Sequence, residues 1–218
     1  MKKVFGCLVI MILIVSGVCA ASADRPWPVR SLDGVRTTLR ELSDADGRHL
    51  SYCGPANQYP DAGAYKPGKV SKMTALLRED NFILVDLSYK TVGRRILYFK
   101  ASSLSDPNPD VERISLQGYA AETTEVLVPL YGPGPEYNIV TQLVASKYEG
   151  WSLEDLASQF GGSYEIYQAL QPTKNTIYLD AGTALSVYFE TDGWVFAEFH
   201  CSLGDIRAWL PADSVVSR

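Results

Sequence analysis

The chain has 218 residues, a net charge of −5, 46% hydrophobic and 21% charged residues, four cysteines and two histidines. An acidic balance removes the broad attraction for phosphate backbones that nucleic acid binding draws on, so nucleic acid is not expected as a partner. So few cysteines support neither a disulfide scaffold nor a structural zinc set, and no metal or cofactor is expected.

In chain order, Lys2 and Lys3 precede the uncharged apolar run VFGCLVIMILIVSGV, and the small residues of CAASA follow. A positive start, a short apolar middle and an A-x-A end predict a secretory signal peptide over residues 1–23, cut after Ala23 or, alternatively, after Ala20. The run is short for a spanning helix, and Val18 stands where a lipidation signal before Cys19 wants a small residue. The expected product is exported, extracellular or in the cell envelope, and meets a membrane only through its leader. No second long apolar run follows. Removal of Lys2 and Lys3 takes the net charge to −7, and only Cys53 and Cys201 remain. These two either form one bridge, which an oxidising compartment permits, or stay as two buried thiols.

After a short helix expected at Val35–Leu42, YCGPANQYP (52–60) recurs 78 positions later as LYGPGPEYN (130–138). Gly54-Pro55 falls on Gly132-Pro133, and Tyr59 on Tyr137. Downstream, NFILVDL (81–87) matches GWVFAEF (193–199), and GRRILYFKASSL (93–104) matches GDIRAWLPADSV (204–215). Three segments repeated in one order predict a duplicated module. Alternation puts Trp194, Phe196 and Glu198 on one strand face, matched by Phe82, Leu84 and Asp86 in the first copy. Short strands between Gly, Asp and Asn turns predict two small, strongly bent barrels in tandem. The first covers 24–105 with an N-terminal extension, the Pro- and acid-rich stretch 106–118 is a linker, and the second covers 119–218. The second copy carries an insert at about 140–178, expected to be helical: Ser152 caps, Leu153, Leu156, Ala157 and Phe160 form a stripe, and Gly161-Gly162 stops it.

Charge is uneven. Residues 53–105 hold eight Lys or Arg against four acids, and 106–218 hold five against sixteen. Two differently decorated surfaces explain this, as do two halves that attract one another or a basic half that meets an anionic polymer.

The repeated phrases resemble the bacterial Src-homology-3 (SH3) domain. In that family a first strand enters a G-P-x-x-x-Y loop, a later strand opens with G-W after a turn, and a G-x-W/Y strand closes the unit. The second copy matches through YGPGPEY, AGTALSVYFETDGWVFAEF and RAWLPADSV, the first through CGPANQYP, NFILVDL and ILYFKASSL. The resemblance implies a mainly β fold of two SH3-like barrels. The peptide groove of eukaryotic relatives is only partly kept: Tyr131, Trp194 and Pro211 are present but Ser214 replaces a tyrosine, and the first copy has Tyr52, Phe82, Lys100 and Ser103. The insert more faintly resembles a lysin motif, through Gly150, Ser152, Leu153, Leu156, Ala157, Phe160 and Gly161 and later Ile177, Gly182, Leu185 and Val187, although Trp151 stands where Asp is usual.

No nucleophile elbow, phosphate loop or metalloprotease helix is present. Cys53 with His49 or His200 lacks the surrounding motif of a thiol peptidase, so no catalytic residue and no enzymatic activity are expected. The candidate ligand-binding set is aromatic with one carboxylate: Trp194, Phe196, Glu198, Tyr131, Tyr137 and Trp209 in the second copy, with Phe82, Leu84 and Tyr59 in the first. Ring faces beside a carboxylate suit a sugar or an extended peptide. The resemblance then implies an exported binding protein for a cell-wall polymer or another envelope protein. Two alternatives are a structural module whose barrels pack on each other without a ligand, and a cysteine-dependent wall hydrolase.

Overall fold

The computed structural model describes residues 25–43, 46–89, 93–134, 137, 179–201 and 204–218. The protein is mainly β, in two sheets. The first sheet runs β1 (Val35–Arg36), β4 (Val70–Glu79), β5 (Phe82–Tyr89), β6 (Gly93–Lys100), β2 (His49–Tyr52), β3 (Asp61–Tyr65), with β7 (Glu112–Arg113) added on β4. The second runs β11 (Gly204–Pro211), β10 (Trp194–Cys201), β9 (Ala184–Thr191), β8 (Tyr119–Thr123), β12 (Val215–Ser217). Neither path closes on itself among the described residues. No α-helix occurs among them either, and the helical insert expected at 140–178 lies wholly outside them.

The duplication is visible strand by strand. Each copy has a three-stranded meander, β4-β5-β6 and β9-β10-β11, followed by a 3-10 turn (Ala101–Ser103, Ala212–Ser214). The first hairpin of each meander turns at an aspartate in left-handed backbone, Asp80 at φ 49° and Asp192 at φ 48°, a conformation aspartate tolerates better than most residues. The last segment then returns to the first: Leu104 bridges Leu39, and Val215 pairs Thr123.

The helix expected over Val35–Leu42 is instead extended. Val35 and Leu39 are four apart, which fits a helical stripe, but burial alternates strictly from Val35 to Arg40, the period of a strand. Val35 pairs Ala75, and Thr37 N–H donates to Met73 O at 3.1 Å.

Each copy sends two pieces to the other. Before the first copy begins, Pro28–Arg30 lies parallel to β9 of the second: Glu190 N–H donates to Pro28 O at 2.8 Å and Arg30 N–H to Glu190 O at 2.8 Å. Before the second copy begins, β7 lies parallel to β4 of the first, and Ile114 N–H donates to Arg78 O at 2.9 Å. The N-terminal extension and the linker are thus crossed leading strands. The turns cross as well. Arg207 N–H on β11 donates to Cys53 O at 2.8 Å, and Ile96 N–H on β6 donates to Tyr131 O at 2.6 Å. This is the i-to-j, j-to-i reciprocity of a two-fold interface, here within one chain.

Three apolar layers follow. One backs the first sheet (Leu39, Val85, Leu97, Phe99), one backs the second (Val187, Val195, Leu210). The third lies between them and takes Leu84 and Tyr98 from one copy with Phe189, Phe196 and Trp209 from the other. Phe196 sits 4.9 Å from Trp209 and 5.3 Å from Phe189 by ring centroids.

The Gly-Pro turns explain the repeated phrase. A Cβ on Gly54 would stand 2.1 Å from Tyr59 Cδ1, and one on Gly132 would stand 2.0 Å from Tyr137 Cδ1. Each tyrosine ring lies flat on its glycine, which is why that position has no side chain. Gly54→Ala and Gly132→Ala are each expected to cost about 2 kcal/mol, because the ring must leave its packed position. Gly68→Ala, where a Cβ meets nothing within 4 Å, is the control. Urea midpoints check this; equal midpoints for all three variants contradict it.

Candidate functional site

The tyrosines released by those turns reach the opposite copy. Tyr59 O–H donates to Glu198 Oε2 at 2.6 Å, and Tyr137 O–H donates to Asp86 Oδ2 at 3.2 Å. Asp86 and Glu198, equivalent strand positions, are therefore mutual anchors of the two turns rather than residues of a plain solvated face. An arginine completes each trio. Arg94 Nη2 donates to Asp86 Oδ2 at 2.6 Å and its guanidinium lies 4.7 Å from the Tyr137 ring centroid. Arg207 Nε donates to Glu198 Oε2 at 2.9 Å and its guanidinium lies 4.1 Å from the Tyr188 ring centroid.

The trios are unequal in depth. The Arg94 side chain is 42% exposed, whereas Arg207 is 8% exposed. Arg207 also donates through Nη1 to Glu79 Oε2 at 2.8 Å and to Tyr98 Oη at 3.1 Å. Tyr98 in turn donates to Glu79, and Tyr188 donates to Glu198 at 2.9 Å. One buried guanidinium from the acidic copy thus joins a carboxylate of each copy, Glu79 at 9% and Glu198 at 23% side-chain exposure. The net charges of the halves do not account for this seam, since its arginine comes from the acidic half and Glu79 from the basic one. Trp209 stands where the first copy has Tyr98, and its Nε1 finds no hydrogen-bond partner among the described residues.

Burial makes the acidic groups here harder to ionise. Desolvation is the main cause at Tyr59, pushed up to about 12 with help from its bond to Glu198, and Tyr98 and Tyr188 are raised by the same cause. Arg207 is held charged: desolvation opposes its charge, but Tyr98, Glu79 and Glu198 raise it further. The Cys53 thiol is pushed up to about 12, chiefly by desolvation. A thiol so raised supplies no thiolate near neutral pH, which weighs against the hydrolase alternative. Cys53 and Cys201 are free thiols. His49 is spent on Arg40 O, with Nε2 at 2.7 Å. Among the described residues no cluster of histidine, cysteine and carboxylate ligands is arranged for a metal.

The candidate contact residues mostly meet inside the seam. Phe196, Trp209, Leu84 and Tyr137 are buried there, and the first three have at most 1% of their surface exposed. They pack the two sheets together and offer a ligand no face, which corrects the expectation of an open aromatic surface. Tyr59, Tyr131 and Glu198 line the same seam and are half-buried. Arg95 lies 4.8 Å from the Tyr131 ring centroid. Trp194 is half-buried on the rim of the shared layer, as are Leu32, Ile114 and Leu116. Phe82, itself only 7% exposed, lines an open cleft of about 340 Å³ with Asn57, Asn81, Lys100, Ala101 and Ser102. Its ring packs edge-on to Tyr52 at 5.5 Å, and Lys100 Nζ lies 5.7 Å from the Tyr52 centroid.

No family model matches this chain, and neither a curated protein nor a solved structure matches it.

Removing Arg207 leaves two carboxylates in the seam without their cation. Arg207→Met is expected to cost about 3–5 kcal/mol, whereas Arg94→Met, at an exposed pair, is expected to cost no more than about 1 kcal/mol. Equal losses in chemical denaturation contradict the depth assigned to the Arg207 trio.

Stability also depends on alkali. Well below pH 9, the ordinary Cys value, the thiol is neutral both folded and unfolded. Above it the unfolded thiol ionises while the folded one holds its proton to about 12, so stability falls as pH rises. From pH 10, the ordinary tyrosine value, Tyr59, Tyr98 and Tyr188 steepen the fall in the same direction. Melting temperature against pH should decline from about 9 upward. Cys53→Ala should shift the onset toward 10, and an unmoved onset contradicts the assignment.

Proposed function

We propose that the chain is an exported, non-enzymatic binding protein of the cell envelope, built from two SH3-like units fused face to face into one rigid platform. The observation that carries this is the reciprocal capture of the Gly-Pro-Tyr turns. It makes the repeated phrase a device for joining the units and leaves the outward surfaces for recognition. The order of strands within each copy supports the SH3-like reading: a first strand, a segment holding the Gly-Pro turn, a meander, a 3-10 turn and a return to the first strand. Export rests on the leader sequence.

The contact surface in this reading is the Phe82 cleft, where an apolar ring lies beside two asparagines and Lys100. Amide groups and one cation around a ring edge suit an extended wall peptide or a glycan carrying carboxylates. Its counterpart is the rim at Trp194. A second reading, an architectural module without a wall ligand, is favoured by the number of aromatic residues consumed in the seam. The two differ in sedimentation of the mature chain with isolated wall sacculi. Binding through the cleft predicts that Lys100→Glu combined with Asn57→Ala lowers the retained fraction roughly threefold or more, with an unchanged urea midpoint. Retention equal to that of the unaltered chain removes the cleft, and no retention of either favours the architectural module.

A further inference from the structure

The two cysteines outside the leader sequence come to one place, on opposite sides of the seam. Cys53 opens the Gly-Pro turn of the first copy, and Cys201 ends β10 of the second. A ring of contacts joins them. Cys53 N–H donates to Pro60 O at 3.0 Å, and Pro60 lies against Gly204, where a Cβ would stand 3.8 Å from its Cγ. Gly204 pairs with Cys201 across the hairpin of β10 and β11, and its carbonyl accepts the Cys201 S–H at 3.3 Å. Both side chains belong to the apolar layer that backs the second sheet, Cys53 buried within it and Cys201 packed against it. Of the charges that raise the Cys53 thiol, that of Cys201 outweighs that of Asp61, the residue after Pro60.

The fold does not require sulfur at this corner. In the repeat, Cys53 corresponds to Tyr131 and Cys201 to Tyr89, so the other half of the molecule builds the equivalent corner from two tyrosines. Both cysteines of the mature chain nevertheless fall here, one from each copy. The structure shows the pair reduced.

We propose that Cys53 and Cys201 join as a disulfide that staples the turn of the first copy to the second copy once the chain meets an oxidising compartment. The half-buried Cys201 reacts first. Its thiolate attacks one sulfur of an incoming disulfide, small or carried on a protein, and displaces one thiolate. The Cys53 thiolate then attacks the Cys201 sulfur and displaces the second. Two protein thiols are oxidised, the incoming disulfide is reduced to two thiols, and each protein proton passes to a departing thiolate. Burial pushes Cys53 up to about 12, so the closing step is slow and quickens in alkali. The bridge links residues far apart in sequence, which constrains the unfolded chain strongly. It also fixes the Cys53 carbonyl on Arg207 N–H, beside the guanidinium that joins the copies. Parting of the copies thereby becomes redox-dependent. This inference rests on export and on the seam, and not on wall binding.

The test incubates the mature chain in oxidised glutathione, alkylates the remaining thiols in denaturant and maps unreduced peptides by mass spectrometry. The oxidised chain should stay monomeric, carry no alkylated cysteine and yield a single linked pair, Cys53 with Cys201. Its urea midpoint should rise above that of the reduced chain, and dithiothreitol should reverse the rise. Cys53→Ala should stop at glutathione held on Cys201, Cys201→Ala should leave Cys53 largely unmodified, and neither should gain stability on oxidation. Two alkylated thiols in the unaltered chain after oxidation, or bridges formed only between chains, overturn the disulfide. A bridge that forms and leaves the midpoint unchanged or lowered overturns its role as a staple.

Discussion

The structure turns on one guanidinium. Arg207 lies on a strand of the second copy, touches Glu198 of its own copy and Glu79 of the other, and rests against Tyr188. Two carboxylates brought together in a largely buried seam repel each other and lose much of their water, and the cation between them offsets both costs only if its geometry holds. Everything nearby fixes that geometry. Tyr98 donates to Glu79, Tyr59 and Tyr188 donate to Glu198, and the peptide N–H of Arg207 itself is taken by Cys53 O in the other copy's turn. The seam is thus specified by polar contacts and filled by apolar ones.

From this follows the relation between the copies. Neither sheet is complete by itself: β4 takes β7 from the segment leading into the second copy, and β9 takes Pro28–Arg30 from the segment leading into the first. The leading segments touch as well, Arg30 Nη1 meeting Glu112 Oε2 at 2.6 Å. Such crossing is the arrangement of a strand-exchanged dimer, made here within one chain by duplication. Separate recognition by two free barrels is then not available to this molecule. What it presents is the outer rim of a joined pair, and the Phe82 cleft lies on the first copy.

Much of the fold could be read before any coordinates. The Gly-Pro turns, the two meanders and their equivalence were present as three ordered repeats, and the alternation of GWVFAEF gave the right strand. The crossed leading strands were also written, as SLDG at 31–34 and SLQG at 115–118. Only a glycine fits at 34, where a Cβ would stand 2.2 Å from Ala75 O, and at Gly118 a Cβ would press on Ser186 Cβ at 3.1 Å. A four-residue match 84 positions apart is too short to be noticed until the strands are seen to pair. Val35–Leu42 failed for a related reason: two apolar residues four apart satisfy both periods, and only the burial of Thr37 decides between them.

The candidate site was legible in composition and not in exposure. Aromatic residues at Phe196 and Trp209 look alike in sequence whether they face a ligand or another sheet, and here the partner is the chain itself. Arg207 carried no signal, because its equivalent in the first copy is Ile96 and the charge does part of its work across the seam. The most direct measurement of this account is native-state hydrogen exchange against denaturant. Joined copies predict that the slowest amides of β5 and β10, such as Leu84 and Val195, converge on one opening free energy and one denaturant slope. Two separate isotherms, with one copy opening while the other stays protected, would contradict it.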